Sequence, residues 1–207
     1  PYRMAIRGSE GDDECVFDAS SREMEVNGIT TKIPYEVSRM FFNGRGGQDS
    51  FRFISDENAD EIAVLQSQSL RVDSGRVIFS TLNTEVLEFD ADESSNDISI
   101  LFDSVDDDNV TVRRDEVSME TAAGSIRTNN VGRTFVYSSG GNDSADVRGD
   151  SGSDSVRVNF NAKYVRMTND QKSLVLRGFG DVHINAGTGD DEARIFDSPE
   201  REFLYSH

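Results

Sequence analysis

Three short signatures recur in one order five times along this chain, and that recurrence limits the fold more than any single residue does. The first is a turn triplet ending in aspartate: Gly11-Asp12-Asp13, Gly47-Gln48-Asp49, Ser95-Asn96-Asp97, Gly141-Asn142-Asp143 and Gly189-Asp190-Asp191. The second is an aspartate step: Phe17-Asp18-Ala19, Ser55-Asp56-Glu57, Phe102-Asp103-Ser104, Gly149-Asp150-Ser151 and Phe196-Asp197-Ser198. The third is a short alternating segment: Met24-Glu25-Val26, Ile62-Ala63-Val64, Val110-Thr111-Val112, Val156-Arg157-Val158 and Phe203-Leu204-Tyr205. The triplets end at 13, 49, 97, 143 and 191, so their successive spacings are 36, 48, 46 and 48. The chain reads as one repeat array with a period of about 47 residues, in approximate units 1–37, 38–85, 86–132, 133–180 and 181–207.

Within a period the apolar residues alternate in short runs. Thr134–Ser138, Asp146–Arg148, Ser155–Asn159, Tyr164–Met167 and Leu174–Arg177 read as strands, with Thr168–Lys172 a polar turn between the last two. Asn, Asp, Gly and Ser fill the corners because they tolerate left-handed backbone or bond their own main chain. No stretch carries apolar residues at three- and four-residue spacing over ten positions, so the class is all-β. A sandwich does not repeat three ordered signatures at a fixed period. A β-propeller-like array is the alternative, but its blades carry a strong aromatic motif and this chain has no tryptophan. The expected fold is a parallel β-solenoid with about two rungs per repeat, a rod about 40 Å or more long. Phe53, Leu101, Val147 and Ile195, each four residues after a triplet aspartate, are expected to stack as one inward ladder.

The charge excludes some partners. With 21 basic and 39 acidic residues the net charge is −18, which is unsuited to a phosphate backbone, so nucleic acid is not an expected partner. No apolar run approaches the roughly 20 residues of a membrane span. Cys15 is the single cysteine and falls at an inward-alternating position, the place of a small hydrophobe rather than a nucleophile.

Such acidity attracts cations, and residues 140–158, GGNDSADVRGDSGSDSVRV, invite comparison with a calcium roll. A calcium roll repeats every nine residues, whereas Asp143 and Asp154 are 11 apart and the nonapeptide is not sustained. Arg22 and Arg201 are read at corners equivalent to those of Asp60 and Asp154, where they would spoil a shared ligand set. The turns are therefore expected to be structural, their Asp and Asn side chains bonding nearby backbone amides. Weak divalent-cation binding, calcium included, is assigned to Asp143, Asp154, Asp190, Asp191 and Asp107, at acidic runs such as Asp106-Asp107-Asp108 and Asp190-Asp191-Glu192, and no other cofactor is expected.

Catalytic constellations are scarce. Asp103, Asp150 and Asp197 are expected to form an acidic ladder along one edge, which would repel an acidic polysaccharide. Arg148, Arg157, Arg166 and Arg194 read as solvated ion-pair partners, and His183 as a surface cross-strand residue. Ser138-Ser139 has no nearby histidine to activate it.

The strings GGNDSADVRGDSGSDSVRV and GTGDDEARIFDSPEREFLYS resemble the Gly-Gly-Asn-Asp and Phe/Tyr-Asp-Ser repeat arrays of large planctomycete-type surface or secreted proteins. The resemblance is best over 131–207 and weakest over 1–36. It departs at Ser95, where the glycine is lost, and at Arg148-Gly149, where the aromatic step is lost. It implies an exported array at the cell surface or outside the cell, and brings no catalytic residues. Pro1-Tyr2-Arg3-Met4 is similar to Tyr164-Val165-Arg166-Met167, so the two ends of the chain would join almost in phase. The expectation is a non-enzymatic structural or interaction module, a segment of a longer solenoid or a unit that stacks on copies of itself into a fibre or layer. One alternative is a carbohydrate-binding or polysaccharide-cleaving β-helix, for which Phe41, Phe42, Phe135, Tyr137 and Phe160 are candidate groove aromatics. The other is a calcium-dependent adhesin module.

Overall fold

A computed structural model of the chain describes residues 2–93, 96–169 and 171–196. The alternation of apolar and polar residues becomes twenty-one strands and no helix among those residues. β1 (Tyr2–Arg7) precedes a unit of β2 (Glu14–Asp18), β3 (Glu23–Val26), β4 (Ile29–Lys32), β5 (Val37–Asn43) and β6 (Ser50–Ile54). The second unit is β7 (Ile62–Gln66), β8 (Ser69–Asp73), β9 (Ile78–Leu82), β10 (Val86–Asp90) and β11 (Ile98–Phe102). The third is β12 (Asn109–Arg113), β13 (Glu116–Thr121), β14 (Gly124–Asn129), β15 (Arg133–Tyr137) and β16 (Ser144–Arg148). The fourth is β17 (Ser155–Asn159), β18 (Tyr164–Thr168), β19 (Ser173–Arg177), β20 (Asp181–Asn185) and β21 (Glu192–Phe196). The units start at residues 14, 62, 109 and 155, which are 48, 47 and 46 apart. The strands expected between residues 134 and 177 are all present. The signature residues Asp197-Ser198 and Phe203-Leu204-Tyr205, together with Ser95, Arg201 and the chain ends, lie outside the described residues.

Each unit opens with a three-strand antiparallel meander on one sheet, crosses to the facing sheet for one strand, and returns for a fifth. Every parallel pairing joins strands four apart in chain order, at a pitch between 35 residues (Tyr2 opposite Val37) and 40 residues (Arg133 opposite Ser173). The product is a β-solenoid of two facing sheets with eleven and ten strands, its parallel stacking interrupted only by the middle strand of each meander. Ten spacings of about 4.8 Å make the larger sheet about 48 Å long. A turn takes 35 to 40 residues, so a unit of 46 to 48 makes little more than one turn, against the two or so rungs expected per repeat. The spacing of 36 between Asp13 and Asp49 has a different meaning from the later 48, 46 and 48: it is one turn of the solenoid, not one repeat.

The expected single ladder does not form. Phe53, Leu101 and Val147 do point inward and are fully buried, but they sit on alternate sheets. Phe53 lies between Phe17 and Phe89, Leu101 between Leu65 and Val136, and Val147 between Val112 and Ile184, while Ile195 is half-exposed beside Val158. The reason is that a unit crosses between the sheets three times. An odd number of crossings starts each unit on the sheet opposite its predecessor. The real ladders therefore run at the turn pitch of 35 to 40 residues.

The interior of the first two units is aromatic: Phe17, Phe42, Phe51, Phe53, Phe79 and Phe89 are buried together, and the Phe51 and Phe79 rings stack at 4.5 Å. Beyond them Leu65, Leu101, Met119, Val136, Val147 and Leu176 continue the core. Each such side chain contributes about 1.5–3 kcal/mol by leaving water. Cys15 is one of these inward residues, and burial pushes its thiol up to about 12, so it carries no thiolate at neutral pH. None of the described residues forms a helix long and apolar enough to cross a membrane.

Candidate functional site

The corners between the sheets carry the chain's chemistry. Where a strand ends, the main chain loses its ladder partners, and buried N–H groups must be satisfied another way. Here carboxylates on the neighbouring turn do it. The N–H groups of Asp13, Glu61, Asp108 and Asp154 donate to Oδ1 of Asp49, Asp97, Asp143 and Asp191, at 2.8, 2.6, 2.9 and 3.0 Å. In return the N–H groups of Gln48, Asn96 and Asn142 donate to Oδ1 of Asp12, Asp60 and Asp107, at 2.7, 3.1 and 2.7 Å. Three of the four stacks are thus closed by a pair of bonds running in opposite directions between adjacent turns. Aspartate suits the task because its short side chain reaches a neighbouring amide without losing much rotamer freedom. The expected role of these turns is observed: Asp13 and Asp108 accept the N–H groups of Ser9 and Ser104 within their own turns, and the Oδ1 bonds add a link between turns. In the first stack the ladder continues, the Asp49 N–H donating to Glu85 at 2.9 Å.

The residue that opens each first corner differs from unit to unit. It is Gly8, Ser55, Asp103 and Gly149, the residue directly after β1, β6, β11 and β16. At Gly8 a Cβ would stand 2.6 Å from Asp13 Oδ2, so the carboxylate fills the space that glycine leaves. In the third stack a carboxylate stands there instead. Asp103 Oδ1 accepts from the Ser139 N–H (2.7 Å) and hydroxyl (2.6 Å). Asp108 Oδ2 accepts from the Ser104 N–H and hydroxyl, both at 2.7 Å. Asp143 accepts the Asp108 N–H on one oxygen and the Ser138 hydroxyl, at 2.6 Å, on the other. One oxygen from each of Asp103, Asp108 and Asp143 lies within 4.8 Å of the other two, and all three residues are buried. Asp103 Oδ2 and Asp108 Oδ1 have no hydrogen-bond partner.

The other stacks dilute their acidity. In the first, Asn27 from the second meander turn donates to Asp13 at 2.6 Å, and this bond with those from Ser9 holds the Asp13 carboxyl below its usual range. In the second, Arg76 from the equivalent turn binds Asp56 at 2.9 Å. Glu61 nevertheless has its carboxyl pushed up to about 8, first by burial and then by the facing Asp97 and Asp56. In the third, the corresponding turn is Ala122-Ala123, and no ion pair among the described residues involves Asp103, Asp108 or Asp143. Burial and the charge of Asp143, against the Ser139 bonds, push Asp103 up to about 6.

The residues proposed from sequence as cation ligands are dispersed over this framework. Asp143 belongs to the three-carboxylate cluster and Asp107 to the clasp beside it. Asp154 and Asp191 meet in the fourth stack, on the opposite edge, with exposed Asp190 in the same corner. Sequence reasoning placed Asp108 in the acidic run 106–108 and passed over Asp103 as a ligand. Their signal is the turn pitch: Asp108 and Asp143 are 35 residues apart, as Asp13 and Asp49 are 36 apart.

Two expectations are corrected. Asp103 and Asp150 do not share an edge, because 103 follows a strand of the larger sheet and 150 one of the smaller; Asp197 lies outside the described residues. Arg22 is not a corner residue equivalent to Asp60 or Asp154. It lies in the first meander turn, where its guanidinium donates to the carbonyls of Ile33, Pro34 and Val37. As alternation along the strands requires, part of the candidate aromatic row points inward: Phe42 is fully buried, while Tyr137 stacks outward with Phe102 at 5.3 Å. His183 is exposed on β20 opposite Asp146, and its ring bond at 3.3 Å, with Arg148 and Arg113 nearby, holds that carboxyl low. No family model, curated protein or solved structure matches this chain.

Proposed function

We propose that the protein is a non-enzymatic structural module that stacks end to end on copies of itself or on neighbouring repeats, as part of an assembly outside the cell or on its surface. The observation that carries this reading is the pair of sheet ends. At one end, β1 and β4 are terminal strands of the two sheets. They hold Arg3, Arg7 and Lys32 and no acidic residue, and every residue of β4 is exposed. At the other end the terminal described strands are β20 and β21. There Asp181 and Glu192 outnumber Arg194. In a chain of net charge −18, a basic end facing an acidic end is a directed arrangement. Unpaired strand edges template further strands, and a head-to-tail contact of unlike surfaces propagates as an open filament rather than closing. The exported setting rests on the resemblance to planctomycete-type arrays.

Sedimentation velocity of the native chain against the double variant Arg3→Glu, Arg7→Glu tests this. The native chain is expected to form larger species as concentration rises, and the variant to remain a single chain. Identical sedimentation of the two would overturn the reading.

A further inference from the structure

We infer that Asp103, Asp108 and Asp143 form one specific site for a hard divalent cation, calcium in preference to magnesium. The site stands independently of end-to-end stacking, and it differs from the diffuse acidity of the surface in three respects.

Its three carboxylates are almost completely buried, with exposures of 7%, 1% and 2% for Asp103, Asp108 and Asp143. Two of their oxygens, Asp103 Oδ2 and Asp108 Oδ1, have no protein partner while the other oxygen of each is held by a serine. Bare buried oxygens also occur on Asp49, Glu61, Asp97 and Asp154 in the other stacks, but among the described residues only here do three carboxylates each bring an oxygen within 4.8 Å of the other two. Leaving buried acceptors bare is costly, and the serine and backbone bonds fix each carboxylate so that its free oxygen cannot turn to solvent. Finally, the compensating group present elsewhere is missing here. The meander turn that supplies Asn27 in the first unit and Arg76 in the second is Ala122-Ala123 in the third. The corner opener that is glycine or serine in the other units is aspartate only here. One unit has therefore gained a carboxylate at the position where its neighbours have none and lacks the cation or amide found in the first two.

Calcium accepts six to eight oxygens at flexible geometry, whereas magnesium retains several waters in a strict octahedron. A buried cluster of anionic oxygens, with the Ser138, Ser139 and Ser104 hydroxyls already bonded to it, favours the ion that exchanges water for carboxylate more readily.

The test is isothermal titration of the full chain, freed of metal by chelator, with calcium and separately with magnesium, at a concentration where it sediments as a single chain. Thermal melts with and without calcium accompany it. The expected result is one calcium per chain, bound at least tenfold more tightly than magnesium, with a calcium-dependent rise in Tm. Asp103→Asn keeps the acceptor for Ser139 and should weaken calcium at least tenfold. Asp103→Gly installs the residue that Gly8 and Gly149 place at the equivalent corner, and should fold while losing the calcium-dependent rise. Glu36→Gln, exposed ahead of β5 in the first unit, should leave the titration unchanged. The inference is overturned if calcium produces no saturable heat, if Asp103→Asn binds as the native chain does, or if Glu36→Gln weakens binding equally.

Discussion

At the residue scale, acidic side chains play two opposed parts in this protein. Asp49 is structural: its Oδ1 satisfies the Asp13 N–H, although burial raises its carboxyl. Asp49→Ala strands that N–H and should cost about 1–3 kcal/mol, while Asp49→Asn keeps the acceptor and should cost well under half as much; urea unfolding measures both. Glu61 acts in the opposite sense. It faces Asp97 and Asp56, the latter paired with Arg76, and its carboxyl lies at about 8 against an ordinary 4.5. The native state therefore holds this proton more tightly than the unfolded state does. The resulting stabilisation is complete below about 4.5 and is lost as pH rises through about 8. Urea midpoints should fall over that window for the native chain, and Glu61→Gln should flatten the decline. Composition made the acidity legible, but abundance hid the roles. Among 39 acidic residues, only the turn pitch distinguishes Asp103 and Asp108 from the rest.

At the element scale, the meander is the feature that the period alone does not reveal. The sequence shows short alternating strands at a spacing near 47 residues, and the strands between residues 134 and 177 were readable almost to their ends. Alternation says which residues face inward; it does not say which sheet they face from. That is why Phe53 and Leu101 could be recognised as core but not assigned to separate ladders. The turn chemistry is more informative. Asn27 and Gly28 both have positive φ, 49° and 78°, as a two-residue hairpin between β3 and β4 requires. Asn27 also accepts the Glu14 N–H at 2.8 Å and donates to Asp13. Asn27→Ala would strain the turn and remove both bonds, so a loss of about 1–3 kcal/mol is expected by thermal or urea unfolding. Asn27→Gly, which relieves the backbone, should recover part of it.

At the scale of the whole molecule, repetition yields two sheets whose strands satisfy one another along the rod, with β1 and β4 terminal at one end of the described strands and β20 and β21 at the other. The fold class was legible because three signatures repeated in one order five times have few other solutions. The charge difference between the ends was not, because it depends on which strands are terminal, and strand order does not follow chain order: β4, not β2, closes the smaller sheet. The most direct measurement of the central claim is the molar mass of the native chain by light scattering as its concentration is raised. A head-to-tail module predicts mass climbing in successive multiples of 22.9 kDa without a preferred endpoint. A mass that stays at 22.9 kDa, or stops at a closed dimer, would contradict it.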